Sequence, residues 1–87
     1  MDRITAFKTA LAESKRLYAL DPHFETLGSI VHQIEYLIAV AEGRETNRLQ
    51  LSNIILGVQA AREIEQYDEG FAELLYRVAQ EARLMRG

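Results

Sequence analysis

Five carboxylates, Glu63, Glu65, Asp68, Glu69 and Glu73, fall within eleven residues with no Lys or Arg among them, and Tyr67 sits in their midst. Acid gathered around an aromatic suits docking onto a basic or polar cleft of another protein. Charge complementarity steers the encounter, and tyrosine offers rigid contact area with a polar tip. Glu63, Glu65, Tyr67, Asp68 and Glu69 are the candidate partner-binding residues, with Glu35 and Tyr36 as a second patch. The plainer reading is a solvated face whose acids complement the positive end of a helix starting near Asp68.

Catalytic sets are missing from the sequence. His23 and His32 are the only histidines, and nine residues along one helix put them on opposite faces, so they cannot share a metal. No Glu-x-x-His pair of the di-iron kind occurs, and the absence of cysteine excludes thiolate nucleophiles, disulfides and Cys-based zinc. Gly28, Gly43, Gly57 and Gly70 stand isolated and form no phosphate loop, and Ser14, Ser29 and Ser52 lack a nucleophile context. No metal, cofactor or catalytic residue is expected. One enzyme class of this size is all-helical, the chorismate mutases, whose dicarboxylate substrate needs converging cations. Arg44, Arg48 and Arg62 could gather for that role, but the long charged first helix and the spacing of that class are absent.

The elements that must position these residues are helices. At 87 residues the chain has room for one core, and a domain this size buries roughly 60–65% of its unfolded surface. Its 48% hydrophobic and 26% charged residues argue for a globule over disorder. The net charge of −3 argues against a nucleic-acid partner, because no basic surface gains from counterion release. No apolar run approaches the ~20 residues of a membrane span, and the first residues lack a signal-peptide pattern, so the expected location is cytoplasmic.

Periodicity predicts a four-helix, all-α, single-domain bundle over 1–87. The first helix runs from about Asp2 to Leu20, with Ile4, Phe7, Leu11, Ser14 and Tyr18 on its stripe. Asp21 is expected to cap a second helix with Pro22 at its first position, running to Glu42 and stopped by Gly43. Leu27, Ile30, Val31, Ile34, Leu37, Ile38 and Ala41 form its apolar face. Asn47 with Gln50 resembles a capping box opening a third helix, which carries Leu51, Ile54, Ile55, Val58 and Ala61, with Leu56, Ala60 and Ile64 on an adjacent arc. That helix is expected to be the most buried, with Gly57 permitting a close helix contact. Asp68 caps the fourth, whose stripe is Phe71, Leu74, Leu75, Val78, Ala82 and Met85.

Arg16-Leu17, Pro22, Phe24-Glu25, Leu27 and Ser29, then Gln33-Ile34-Glu35-Tyr36-Leu37 and Val40, resemble a family of bacterial immunity proteins. The likeness continues through Arg44, Arg48, Leu51, Leu56-Gly57, Ala60, Arg62-Glu63-Ile64 and Asp68, covering roughly residues 16 to 75. Where the family pattern has Asp-Pro-Glu, this chain has Asp68-Glu69-Gly70. That family neutralises type VI secretion effectors whose toxin domain is an NAD(P)+ glycohydrolase. The resemblance implies a cytoplasmic inhibitor, with no activity of its own, that binds and occludes a cognate toxin domain. A cleft that holds a phosphate-rich dinucleotide is expected to be electropositive, which matches the acids of 63–73. Read from the residues alone, a helical adaptor or regulator remains the other binding-module possibility.

Overall fold

Residues 2–86 are described by a computed structural model. Helix α1 (Arg3–Leu20) starts where expected, because the Asp2 carboxylate accepts a hydrogen bond from the Thr5 amide at 2.7 Å. Its core face is Ala6, Phe7, Ala10, Ser14 and Leu17. Ser14 is fully buried and donates to the Leu11 carbonyl at 2.9 Å, which removes the cost of an unpaired hydroxyl in the core.

The link to α2 (Glu25–Ala41) departs from the sequence reading. Asp21 closes α1, its amide bonding the Leu17 carbonyl, and its own carbonyl accepts from the Phe24 amide at 3.1 Å. Pro22 and His23 therefore sit in a turn, α2 begins three residues later than predicted, and Phe24 takes the cap position without a side-chain bond. That releases the Phe24 ring to pack against the core. Leu27, Ile30, Val31, Ile34, Leu37 and Ile38 are buried as predicted. Gly43 follows with φ +78°, a left-handed conformation in which side-chain-bearing residues are strained.

The third element is the main correction. No single helix runs from Asn47. A 3-10 turn (Leu49–Asn53) is followed by helix α3 (Leu56–Gln59), which continues as a widened π turn (Ala60–Ile64). Asn47 does bond the Leu49 amide through its side chain at 3.0 Å. Gln50 does not reciprocate and holds Asn53 instead, so the capping box is half formed. Burial also falls mainly on the other arc, with Leu51 alone of the predicted stripe buried. Leu56, Ala60 and Ile64 are in the core, whereas Ile55, Val58 and Ala61 are exposed, and α2 contributes more buried residues than any other element.

The π turn explains the choice of face. Four residues of α-helix overshoot one full turn by about 40°, so a run at 56, 60 and 64 would drift off the core. The wider last turn, closed by the Glu65 amide on the Ala60 carbonyl at 3.0 Å, undershoots and brings Ile64 back into line. A Cβ on Gly57 would lie 3.6 Å from Ala79 Cβ. The glycine does face α4, but alanine would fit.

Helix α4 (Glu69–Arg86) starts as predicted, with the Asp68 carboxylate accepting from the Phe71 amide at 3.0 Å. Phe71, Leu75, Val78, Ala82 and Met85 are buried. α1 packs against α2 and α4, and the α3 rod packs mainly on α4 and closes the bundle. Arg3–Glu81 at 2.9 Å and Lys8–Glu42 at 2.9 Å pair the start of α1 with the ends of α4 and α2, so both neighbours run antiparallel to it. The molecule measures 32 × 24 × 20 Å and is an all-α four-helix bundle.

Candidate protein-docking site

The acidic residues gather at the corner where the α3 rod turns into α4. The π turn ends at Ile64, the Tyr67 and Asp68 amides bond the Ile64 carbonyl at 2.9 and 2.7 Å, and α4 sets out from Glu69. This tight reversal throws Glu63, Glu65, Tyr67 and Glu69 outward, all exposed, around the anchored Ile64.

The members of the set differ in how free they are. Asp68 is half-buried and committed to capping α4. The Glu65 carboxylate accepts a hydrogen bond from the Tyr76 hydroxyl, and this holds the Tyr76 phenol above its ordinary pKa. Tyr67, 39% exposed, meets Phe24 edge to face with ring centroids 5.1 Å apart at 70°. Such a pair contributes about 0.5–1.5 kcal/mol beyond its area. The Phe24 ring freed by the α1–α2 turn thus buttresses the corner. Glu63, Glu69 and Glu73 are exposed and have neither ion-pair nor hydrogen-bond partners among the described residues. Glu65, Gln66, Glu69, Ala72, Glu73 and Tyr76 line a shallow groove of about 530 Å³.

A cation of α1 also lies beside the corner. Arg16 on α1 pairs with Glu13, which raises its pKa and lowers that of Glu13, and Asp68 adds a smaller attraction. Most other cations are tied into the frame, Lys15 to Glu35 at 3.6 Å, Arg44 to Glu42 at 2.7 Å and Arg48 to the Met85 carbonyl.

Glu35 and Tyr36 do not form one patch. Adjacent residues diverge by about 100° on a helix. Glu35 faces α1 through Lys15, while the Tyr36 hydroxyl donates to the Asn47 carbonyl at 2.7 Å and straps the loop after α2. Arg44 and Arg48 are engaged as above, and Arg62 lies in the π turn. His32 lies on the exposed face of α2 and His23 in the preceding turn. No group of His, Asp and Glu able to hold a metal occurs among the described residues, and none of their helices is long and apolar enough to cross a membrane.

Two features escaped the sequence reading. The Gln33 amide donates to Gln59 Oε1 at 2.8 Å and Ser29 Oγ at 3.1 Å. Gln59 donates to the same Ser29 oxygen at 3.1 Å, and the Ile55 amide donates to Gln33 Oε1 at 2.8 Å. This network opens α3 in place of a cap. Tyr76 is the second, tying α4 to Glu65; only its spacing from Glu69 and Glu73 along one helix face could have signalled it.

The small helical bundle that carries this acidic corner matches one known family. The Tsi6 family model matches residues 3–83. The chain belongs to the Tsi6 family. Tsi6 is an immunity family for a type VI secretion effector, and the match extends past the 16–75 stretch of the sequence reading to include α1. Neither the curated proteins nor the solved structures give a match. As a Tsi6-family member, the chain presents its unpaired acids on the α3–α4 reversal, within the matched region.

Proposed function

We propose that this protein binds the toxin domain of a cognate secreted effector through the acidic corner and covers the toxin's substrate cleft. The toxin is an NAD(P)+-consuming enzyme, the inhibitor turns nothing over, and it acts in the cytoplasm of the cell it protects. The observation that carries the reading is the uncompensated charge at one corner. Glu63, Glu69 and Glu73 have no ion-pair partner among the described residues, while carboxylates elsewhere, such as Glu13, Glu35, Glu42 and Glu81, are paired with Lys or Arg. Unpaired acid complements a cleft built for a dinucleotide's phosphates and speeds encounter, which self-protection requires. A stable complex buries about 800 Å² on each partner, so Gln66 and Arg62 fall within the footprint.

The test uses Glu63→Lys, Glu69→Lys and Glu73→Lys together, which spares the capping Asp68 and the Tyr76-bonded Glu65. Loss of three rim attractions of about 0.2–1 kcal/mol each weakens toxin binding by roughly 3- to 160-fold. The association rate falls most, and NAD(P)+ hydrolysis escapes inhibition at matched concentrations while the helical circular dichroism is retained. An unchanged dissociation constant removes the corner from the interface.

A further inference from the structure

The outward seam of α4 continues past the acidic groove and changes sign. Glu69, Glu73, Tyr76, Gln80 and Arg83 follow at steps of four, three, four and three residues, which keeps them on one face of the helix. Beyond Tyr76 the seam borders a second groove, about 460 Å³, lined in part by Ile54, Ile55, Val58, Tyr76, Arg83 and Arg86. Ile55 and Val58 are 49% and 52% exposed there, a concave apolar floor rather than scattered surface residues. Arg83 and Arg86 have no ion-pair or hydrogen-bond partner among the described residues, unlike Arg3, Lys8, Lys15, Arg16 and Arg44.

The seam therefore runs from unpaired acid to unpaired base, with Tyr76 at its midpoint, seven residues from both Glu69 and Arg83. A stripe of that kind is complementary to itself under a two-fold rotation. Laid antiparallel on a second copy, Arg83 meets the partner's Glu69, Arg86 reaches towards the partner's Glu65 and Gln66, and the two Tyr76 rings meet on the axis. Such contacts are isologous and closed, so association stops at two. The acidic half alone complements many basic surfaces. The whole stripe, opposite charges about 21 Å apart along the helix with an aromatic between them, matches its own reverse.

We propose that the α4 seam with its flanking groove is a self-association surface whose occupant is a second copy of this chain. Glu69 and Glu73 serve this contact and the toxin contact alike, so the two partners exclude one another.

The protein alone suffices for the test. Sedimentation equilibrium between about 1 and 100 μM, the range of weak dimers, gives a mass rising from 9.9 kDa towards twice that value, and salt shifts the transition to higher concentration. Glu69→Arg with Glu73→Arg makes the seam basic throughout, and Arg83→Glu with Arg86→Glu makes it acidic throughout. Each double variant is monomeric, and mixing the two restores the doubled mass. Far-UV circular dichroism of each variant confirms its fold. A wild type that stays monomeric across the range overturns the proposal and leaves the groove to a different partner. Dimers that persist in both variants, or a mixture that stays monomeric, overturn it as well. None of these outcomes depends on the toxin, so failure here leaves the immunity reading standing.

Discussion

Replacing Gln33 with alanine tests whether the polar network, rather than apolar burial alone, sets the position of α3. The substitution removes the Gln33 bonds to Gln59, Ser29 and the Ile55 amide, at 2.8, 3.1 and 2.8 Å. The consequences are unequal. Ile55 is exposed, so water replaces its lost acceptor at little cost, and Ser29 keeps its bond from Gln59. The Gln59 side-chain oxygen bears the loss, since that residue is only 9% exposed and no other bond to that oxygen is formed. Stranding one buried acceptor costs about 1–3 kcal/mol. With a central value of ~2 kcal/mol, the melting temperature of a domain this size drops by roughly 8–16 °C. Urea unfolding of wild type, Gln33→Ala and the double variant Gln33→Met with Gln59→Met separates the causes. Replacing both partners by apolar groups of similar length leaves no stranded acceptor between them, and Ser29, which loses both donors, is only half-buried, so the double variant is expected to stay within ~1 kcal/mol of wild type. A Gln33→Ala loss below ~0.5 kcal/mol, or a methionine pair as damaging as the single change, would refute the reasoning.

Asp68→Ala removes the α4 cap and is expected to cost about 1 kcal/mol, read as a lower urea midpoint with an unchanged slope. Gly57→Ala is expected to stabilise by up to ~1 kcal/mol, because its Cβ gains an ordinary contact with Ala79 at 3.6 Å and the helix loses a flexible residue. Tyr76 is raised above the ordinary phenol value of 10.0 by its bond to Glu65. A raised group lends stability that is complete below its unfolded pKa and is lost as pH climbs through the folded one. Ultraviolet titration should show a late tyrosinate component that disappears in Tyr76→Phe and moves earlier in Glu65→Gln.

Where side-chain period and local chemistry agreed, the fold was legible. The stripes of α2 and α4 landed on the buried residues, and Asp68 capped α4, because long amphipathic segments and a cap beside its helix depend on neighbours in sequence. The third element failed for a physical reason. Leu49, Ile54, Ile55, Leu56 and Val58 present apolar residues on nearly every side, so periodicity could not choose a face. Gln33, twenty-two residues away, takes the Ile55 amide where α3 begins, and the π turn then keeps Leu56, Ala60 and Ile64 on one side. Asp21-Pro22 misled in a different way. Its cap signal was spent on a turn that lets Phe24 reach Tyr67, a contact between segments remote in sequence. The acids of 63–73 were visible as a cluster from composition alone. Which of them are free was not, since that depends on Tyr76 taking Glu65 and the Phe71 amide taking Asp68.

The widened turn at Ala60–Ile64 holds one residue more than an α-helical path through the same space would need. It works as an adjustable mount between the core and the corner. Losing that surplus residue returns the backbone to the tighter coil and swings the Glu63–Glu65 end by roughly 100° about the rod, with no carboxylate replaced and the stripes of α1, α2 and α4 left in place. On the proposed toxin contact, a single-codon change in length would re-aim the acids, a step that substitution alone does not offer.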